Sequence, residues 1–428
     1  MRCVSTRGQA PAAPFRDALL AGLAPDGGLY VPERLPVLDP GAWPGPTASM
    51  ADVGTTLLTP LLGGEFPAAA LRALLADALD FAAPVVRLDD GLAVLELFHG
   101  PTFAFKDVGA RVLARLMSQV QPPDAPPLTV LVATSGDTGG AVAHAFHRVP
   151  GTRVVVLYPD GQVSPVQEAQ FTTLGDNVTA VAVAGSFDDC QRLAKEAFAD
   201  PAVRARARLT SANSISLGRL LPQMIYYAHA VGQLGTAPPP VITVPSGNVG
   251  NLAAGLMARQ MGAPIERFVA ATTINDTVPR YLSTGRVEPR PSVPTLANAM
   301  DVGNPSNLER IRWMFGDDLA ALRRVISARA FTDDDVRRGI AELDRRYGYV
   351  ADPHTAIAYL GATADDRVVA TGATRLFLAT AHPAKFGSVV EPVIGRRVPL
   401  PAALAEAMTR PRDITRIAPS LEALRPLL

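Results

Sequence analysis

The chain has 428 residues, 48% of them hydrophobic and 19% charged, enough to bury a large core in two or three domains. Forty basic residues balance forty acidic ones with no like-charge block, which argues against a nucleic-acid footprint or a polybasic membrane patch and leaves small molecules as the expected partners. Two cysteines, Cys3 and Cys190, offer neither a disulfide framework nor zinc spacing and fit a reduced cytoplasm; signal-peptide and membrane-spanning runs are absent.

Residues 1–90 read as a separate, mainly helical domain. A short apolar helix is expected over Phe15–Leu23, closed by the turn-rich PDGGLYVP at Pro25–Pro32. A second, over Pro67–Phe81, places Leu71, Leu74, Leu75 and Leu79 on one face. From Leu92 strands alternate with helices. LAVLEL (Leu92–Leu97) is a buried-strand run, followed by the loop GPTFAFKD (Gly100–Asp107) and a helix with Val108, Val112, Leu113, Leu116 and Met117 on one side. After the connector PPDAPP (Pro122–Pro127) come strand LTVLVA, loop TSGDTGG and a helix through His147. Strands RVVVLY and VTAVAV follow, with helices opened by Ser164-Pro165 and by Ser186 with Asp189 three positions on. The second half repeats the scheme. The polar loop SANSI runs into a helix to Val231, then connector TAPPP, strand VITV, loop PSGNVGN (Pro245–Asn251), a small-residue helix and strand RFVAAT. Helices and loops fill Asn275–Gly361, with Asp333–Asp335 a solvated helix start, and RLFLAT (Arg375–Thr380) is a last strand opening into AHPAKF. Such alternation predicts an α/β protein, doubly wound on mostly parallel sheets, with ligands beyond the carboxyl ends of the strands. Residues 91–428 would form two α/β subdomains, the smaller spanning roughly 127–230.

PSGNVGN is the most informative loop. Between a strand and a small-residue helix it lets bare backbone N–H groups and a helix N-terminus converge on a phosphate, and its spacing fits neither a nucleoside-triphosphate nor a dinucleotide loop. TSGDTGG is a second loop of this kind, with hydroxyls at Thr134, Ser135 and Thr138; ordinary turn chemistry is the alternative. Asn213 and Arg219, six positions apart at a helix start, suit a phosphate or carboxylate, a surface ion pair being the commoner outcome for a lone arginine. Lys106 of GPTFAFKD is one of only three lysines, with Lys195 and Lys385. Arginine cannot deprotonate or condense with a carbonyl, whereas a lysine in an apolar pocket can, although codon composition also accounts for the scarcity. The six histidines show no metal-ligand spacing, so no metal is expected, and GxSxG is absent. A reactive lysine, a phosphate cradle and a second anion loop together call for a cofactor with a phosphate and an aldehyde, pyridoxal 5'-phosphate.

GPTFAFKD, ATSGDTGGAVAHAF, SANSI, VPSGNVGN, ATTINDTVPRYL, AMDVGNPSN and TAHPAKF, in that order, resemble the threonine synthase family, in the bacterial and fungal branch of the fold type II pyridoxal phosphate enzymes. PDGGLYVP is similar to that family's N-terminal region. The resemblance implies that Lys106 is the Schiff-base lysine, that Gly247, Asn248, Val249, Gly250 and Asn251 hold the cofactor phosphate, and that Thr380 meets the pyridine nitrogen. Asp137 stands where many relatives place an asparagine near the cofactor 3'-oxygen, and two anions there need a proton between them. The implied reaction converts O-phospho-L-homoserine and water to L-threonine and phosphate. Thr134, Ser135, Thr138, Asn213, Arg219 and Asn248 would bind the substrate, and Lys106 would move protons at Cα and Cβ. A lyase releasing 2-oxobutyrate, a non-catalytic binding relative and a β-replacing synthase are the rival readings. A cytoplasmic monomer or homodimer is expected.

Overall fold

The computed structural model describes residues 1–122, 124–235, 238–364 and 372–428. Pro123 of the first expected connector and Thr236 and Ala237 of the second lie outside the described residues. At the N-terminus, helices Phe15–Ala21, Met50–Leu62 and Ala68–Ala78 pack beside a small antiparallel sheet. Its strand order is β2 (Ala13–Pro14), β1 (Arg2–Ser5), β3 (Tyr30–Pro32). These strands of two to four residues are too short to show alternation. The Met50–Leu62 helix has no counterpart in the sequence-based expectation because Pro60 interrupts its pattern. It is nevertheless opened by a capping box, Ser49 with Asp52, and buries Leu57, Leu58, Leu61 and Leu62.

The larger sheet has the order β12 (Ile326–Ala330), β11 (Arg267–Thr272), β10 (Val241–Pro245), β13 (Arg375–Ala379), β5 (Leu92–Glu96), β4 (Val85–Asp89). All neighbours are parallel except β4 against β5. The smaller sheet is wholly parallel, in the order β14 (Thr415–Ile417), β8 (Val178–Val183), β7 (Thr152–Pro159), β6 (Leu128–Ala133), β9 (Arg208–Thr210). Leu131, Val155, Leu157 and Val181 pack on one face with Leu193 and Ala197, while Val130, Val132, Val154 and Val156 join the main core on the other. Burial on both faces is why these strands read as unbroken apolar runs.

Two features depart from the expected division. The outer strand of the smaller sheet comes from the last segment of the chain, far beyond residue 230. The Met224–Leu234 helix packs toward the larger sheet, with the Tyr227 ring 5.7 Å from Phe268 of β11. The loops that follow β5, β6, β10 and β13 leave the carboxyl ends of their strands and meet around one cavity of about 1240 Å³. Among the described residues no helix is long and apolar enough to cross a membrane.

Candidate active site

Lys106 is the first residue of the helix Lys106–Val120, and the loop before it is tied down on several sides. The Phe105 N–H donates to Thr380 O at 2.9 Å and the His382 N–H to Phe103 O at 3.1 Å. Buried Asp107 accepts from Thr102 N at 2.9 Å and from Thr102 Oγ1 at 2.5 Å. Those bonds stabilise Phe103 at φ +56°, an uncommon conformation for a bulky residue.

Burial pushes the Lys106 amine down from 10.5 to about 8, against the pull of Asp137 and with Lys385 and Arg219 reinforcing the fall. Asp137 opens the helix Asp137–Phe146. Its Oδ2 is 3.7 Å from Lys106 Nζ and its Oδ1 is 2.6 Å from Lys385 Nζ. Gln167 Nε2 donates to the same Oδ1 at 2.8 Å. Burial alone would raise this carboxyl, but Lys385 and Lys106 hold it well below the usual carboxylate range. Lys385 also donates to Thr102 O at 2.8 Å. Sequence reasoning gave Lys385 no role, although TAHPAKF carried it.

The PSGNVGN loop runs from β10 into the helix Gly250–Gln260. A Cβ on Gly247 would lie 2.7 Å from Met300 Cα, so only glycine fits there, and Val249 takes φ +49° to turn the helix N-terminus toward the cavity. The Asn248 carboxamide is a tie between loops. Its Nδ2 donates to Ser214 Oγ at 2.6 Å, and its Oδ1 accepts from Ser306 N at 2.6 Å and Ser306 Oγ at 2.9 Å. Asn251 Oδ1 accepts from Tyr226 and Tyr227, both at 2.6 Å, leaving its buried Nδ2 unpartnered in the cavity wall.

All the expected site residues line this one cavity: Lys106; Thr134, Ser135, Asp137 and Thr138; Asn213 and Arg219; Gly247 through Asn251; and Thr380. The Thr134 hydroxyl is turned into its own loop. It donates to Gly136 O at 3.0 Å and accepts from Gly136 N at 2.9 Å and Gly139 N at 2.8 Å, which fills its capacity inside the loop. Arg219 has the reverse character. Its guanidinium is buried, donates to Ala212 O, and has no carboxylate within salt-bridge distance among the described residues; burial pushes it down to about 10. Such a group suits an incoming anion.

Two further cavity-lining residues escaped the sequence reading. His354 Nδ1 is 2.5 Å from Asp352 Oδ2, and its Nε2 accepts from Ala299 N at 3.3 Å, which anchors the AMDVGNPSN loop. Asn298, immediately ahead of that loop, reaches Ser135 O at 3.4 Å and leaves its own buried Oδ1 unpartnered. Nothing in the local pattern around His354 distinguishes it from an ordinary helix-start histidine.

Comparisons with known proteins agree with this geometry. Residues 83–381 match the family model "Pyridoxal-phosphate dependent enzyme", residues 2–79 match "Threonine synthase N terminus", and residues 355–427 match "Threonine synthase, C-terminal". The chain is 41% identical to the threonine synthase of Escherichia coli over 97% of its own length and 96% of that protein. It is 44% identical to the threonine synthase of Serratia marcescens over 91% and 90%. Among solved structures, a pyridoxal-phosphate-bound threonine synthase from Brucella melitensis superposes with a TM-score of 0.92 at 39% identity, covering 100% of this chain and 98% of that one.

Proposed function

The chain belongs to the threonine synthase family, and we infer that it converts O-phospho-L-homoserine and water to L-threonine and inorganic phosphate with pyridoxal 5'-phosphate as cofactor. The observation that carries this reading is the convergence on one cavity of a lowered lysine amine, a glycine-walled anion cradle and a buried arginine with no carboxylate partner among the described residues.

The residues present fit the cofactor. Gly247, Asn248, Val249, Gly250 and Asn251 would hold its phosphate through backbone N–H groups at the helix start, with the orphaned Asn251 Nδ2 as a further donor. Lys106 would bond its aldehyde and Thr380 would meet its ring nitrogen. Asp137 would stand beside the 3'-oxygen, and Lys385 supplies the cation that two facing anions require. When bound, the cofactor supplies an electron sink that acidifies the hydrogens beside the substrate amine. Lys106, as a free amine, would take and return protons at Cα and then Cβ of the substrate. Arg219, Ser135, Thr138 and Asn213 would hold the substrate phosphate, so that it leaves Cγ toward a fixed positive charge.

The test is identification of the carbon product from O-phospho-L-homoserine. Threonine and phosphate in equal amounts are expected; 2-oxobutyrate with ammonia in place of threonine would overturn the reading.

A further inference from the structure

Behind Lys106 two ammonium groups share one carboxylate. Lys385, in the turn Pro383–Phe386 after β13, has a fully buried side chain. It holds Asp137 Oδ1 at 2.6 Å and Thr102 O at 2.8 Å, whereas Lys106 reaches only the other carboxylate oxygen, at 3.7 Å. With Gln167 also on Oδ1, that oxygen is fully engaged before Lys106 is counted, and Lys385 offsets part of the pull of Asp137 on the Lys106 amine. Two cations and one anion in a desolvated place leave an excess positive charge, which is relieved when one ammonium gives up its proton. Lys106, at 3.7 Å from the carboxylate, is the more weakly held of the two amines.

The other charged groups around Lys106 act in the same frame. Arg219, on the helix Leu217–Leu220, adds positive potential, and Asp352, ahead of the helix Pro353–Ala364, adds negative potential. The Asp352 carboxylate is engaged by His354 and Thr355. Asp107, on Lys106's own helix, is engaged by Thr102. His144, on the same helix as Asp137, is pushed by burial down to about 4 and is neutral in the working range.

We propose that Lys385 is a positioning residue for this reaction: it offsets the pull of Asp137 so that Lys106 releases its proton more readily, and it locks the Asp137 and Thr102 loops together. The proposal rests on the reading of Lys106 as the cofactor-bonding lysine. Arginine would keep the charge at position 385, while methionine would leave Asp137 and Lys106 as a simple ion pair that holds the Lys106 proton.

The experiment uses the full-length protein with and without Lys385→Met, Lys385→Arg and Asp137→Asn. Two quantities are read between pH 6 and 9.5. One is labelling of Lys106 by trinitrobenzenesulfonate in cofactor-free protein, located by peptide mass; the other is the rate of pyridoxal 5'-phosphate uptake, followed by near-visible absorbance. Wild-type labelling should be half-maximal near pH 8. Lys385→Met should move the midpoint up by a unit or more, which at pH 7 is about a tenfold loss of reactive amine and of uptake rate. Lys385→Arg should keep the wild-type midpoint, and Asp137→Asn should move it down. An unchanged midpoint in folded Lys385→Met overturns the proposal. Should that variant not fold, an unchanged or raised midpoint in Asp137→Asn overturns it. Labelling needs no cofactor, so its outcome is separate from whether Lys106 bonds pyridoxal phosphate.

Discussion

Asn251 shows how a single side chain is aimed. Two tyrosine hydroxyls claim its oxygen, which leaves its buried nitrogen as the spare donor of a residue that lines the cavity. Tyr227→Phe removes one of those donors. We expect a loss of about 1 kcal/mol in urea denaturation and several-fold faster cofactor release, followed by absorbance. Lys106→Ala should abolish the near-visible absorbance of the cofactor-loaded protein; absorbance retained in the folded variant would refute the assignment. Lys106 also predicts a pH effect on cofactor-free protein. Folding lowers its pKa from 10.5 to about 8, so burying it opposes folding below pH 8, and that penalty fades as pH rises from about 8 to 10.5. Lys106→Met should therefore stabilise the cofactor-free protein by up to roughly 3 kcal/mol at pH 7 and by much less at pH 10, read from denaturant midpoints. At this scale the sequence was partly legible. Lys106 stands between phenylalanines in a loop of recognisable composition, but the pairing of Lys385 with Thr102 spans 283 positions, and no local pattern contains it. The bonds of Thr134 within its loop were illegible for a related reason: composition does not say which way a hydroxyl turns.

Among the elements, the loops matter more than the strands they extend. Gly247 lies against the backbone at Met300, which belongs to the loop anchored by His354. Gly247→Ala must push those two loops apart, and we expect cofactor affinity to fall at least tenfold, measured by equilibrium dialysis. Arg310 is the clip for the opposite side. Its buried guanidinium donates to Tyr30 O at 3.1 Å, Ser214 O at 3.0 Å, Ile215 O at 2.5 Å and Asn307 Oδ1 at 2.6 Å, binding β3, the SANSI loop and the helix Leu308–Met314 together. Arg310→Met strands two buried and two half-buried acceptors and should cost about 3 kcal/mol in chemical denaturation. The helix starts at Ser164, Ser186 and Asp333–Asp335 were readable because a cap is a local device. Arg310 was not, because an arginine in a short polar helix looks the same whether it faces water or core.

On the scale of the whole molecule, the chain ends by returning to a sheet it began much earlier. Strand β14 pairs with β8 from Thr415↔Val181 to Ile417↔Val183, and Asp413 N–H donates to Thr172 O at 2.8 Å. Leu424 is fully buried in the same cluster as Val181 and Val183, and Arg425 meets Asp200 at 2.6 Å. Removal of residues 411–428 would leave β8 as a bare parallel edge. We expect a lower melting temperature and concentration-dependent light scattering from the truncated protein.

The same strand sets a timetable for making the protein. Glu168 meets Arg412, 244 positions later. At a synthesis rate of about 5–20 residues per second, the β8 edge waits roughly 12–50 s on the ribosome for its cover. During that interval a nascent sheet of apolar strands offers an unpaired edge to neighbouring chains. Chaperone dependence and yield should therefore track the speed at which the last segment is translated.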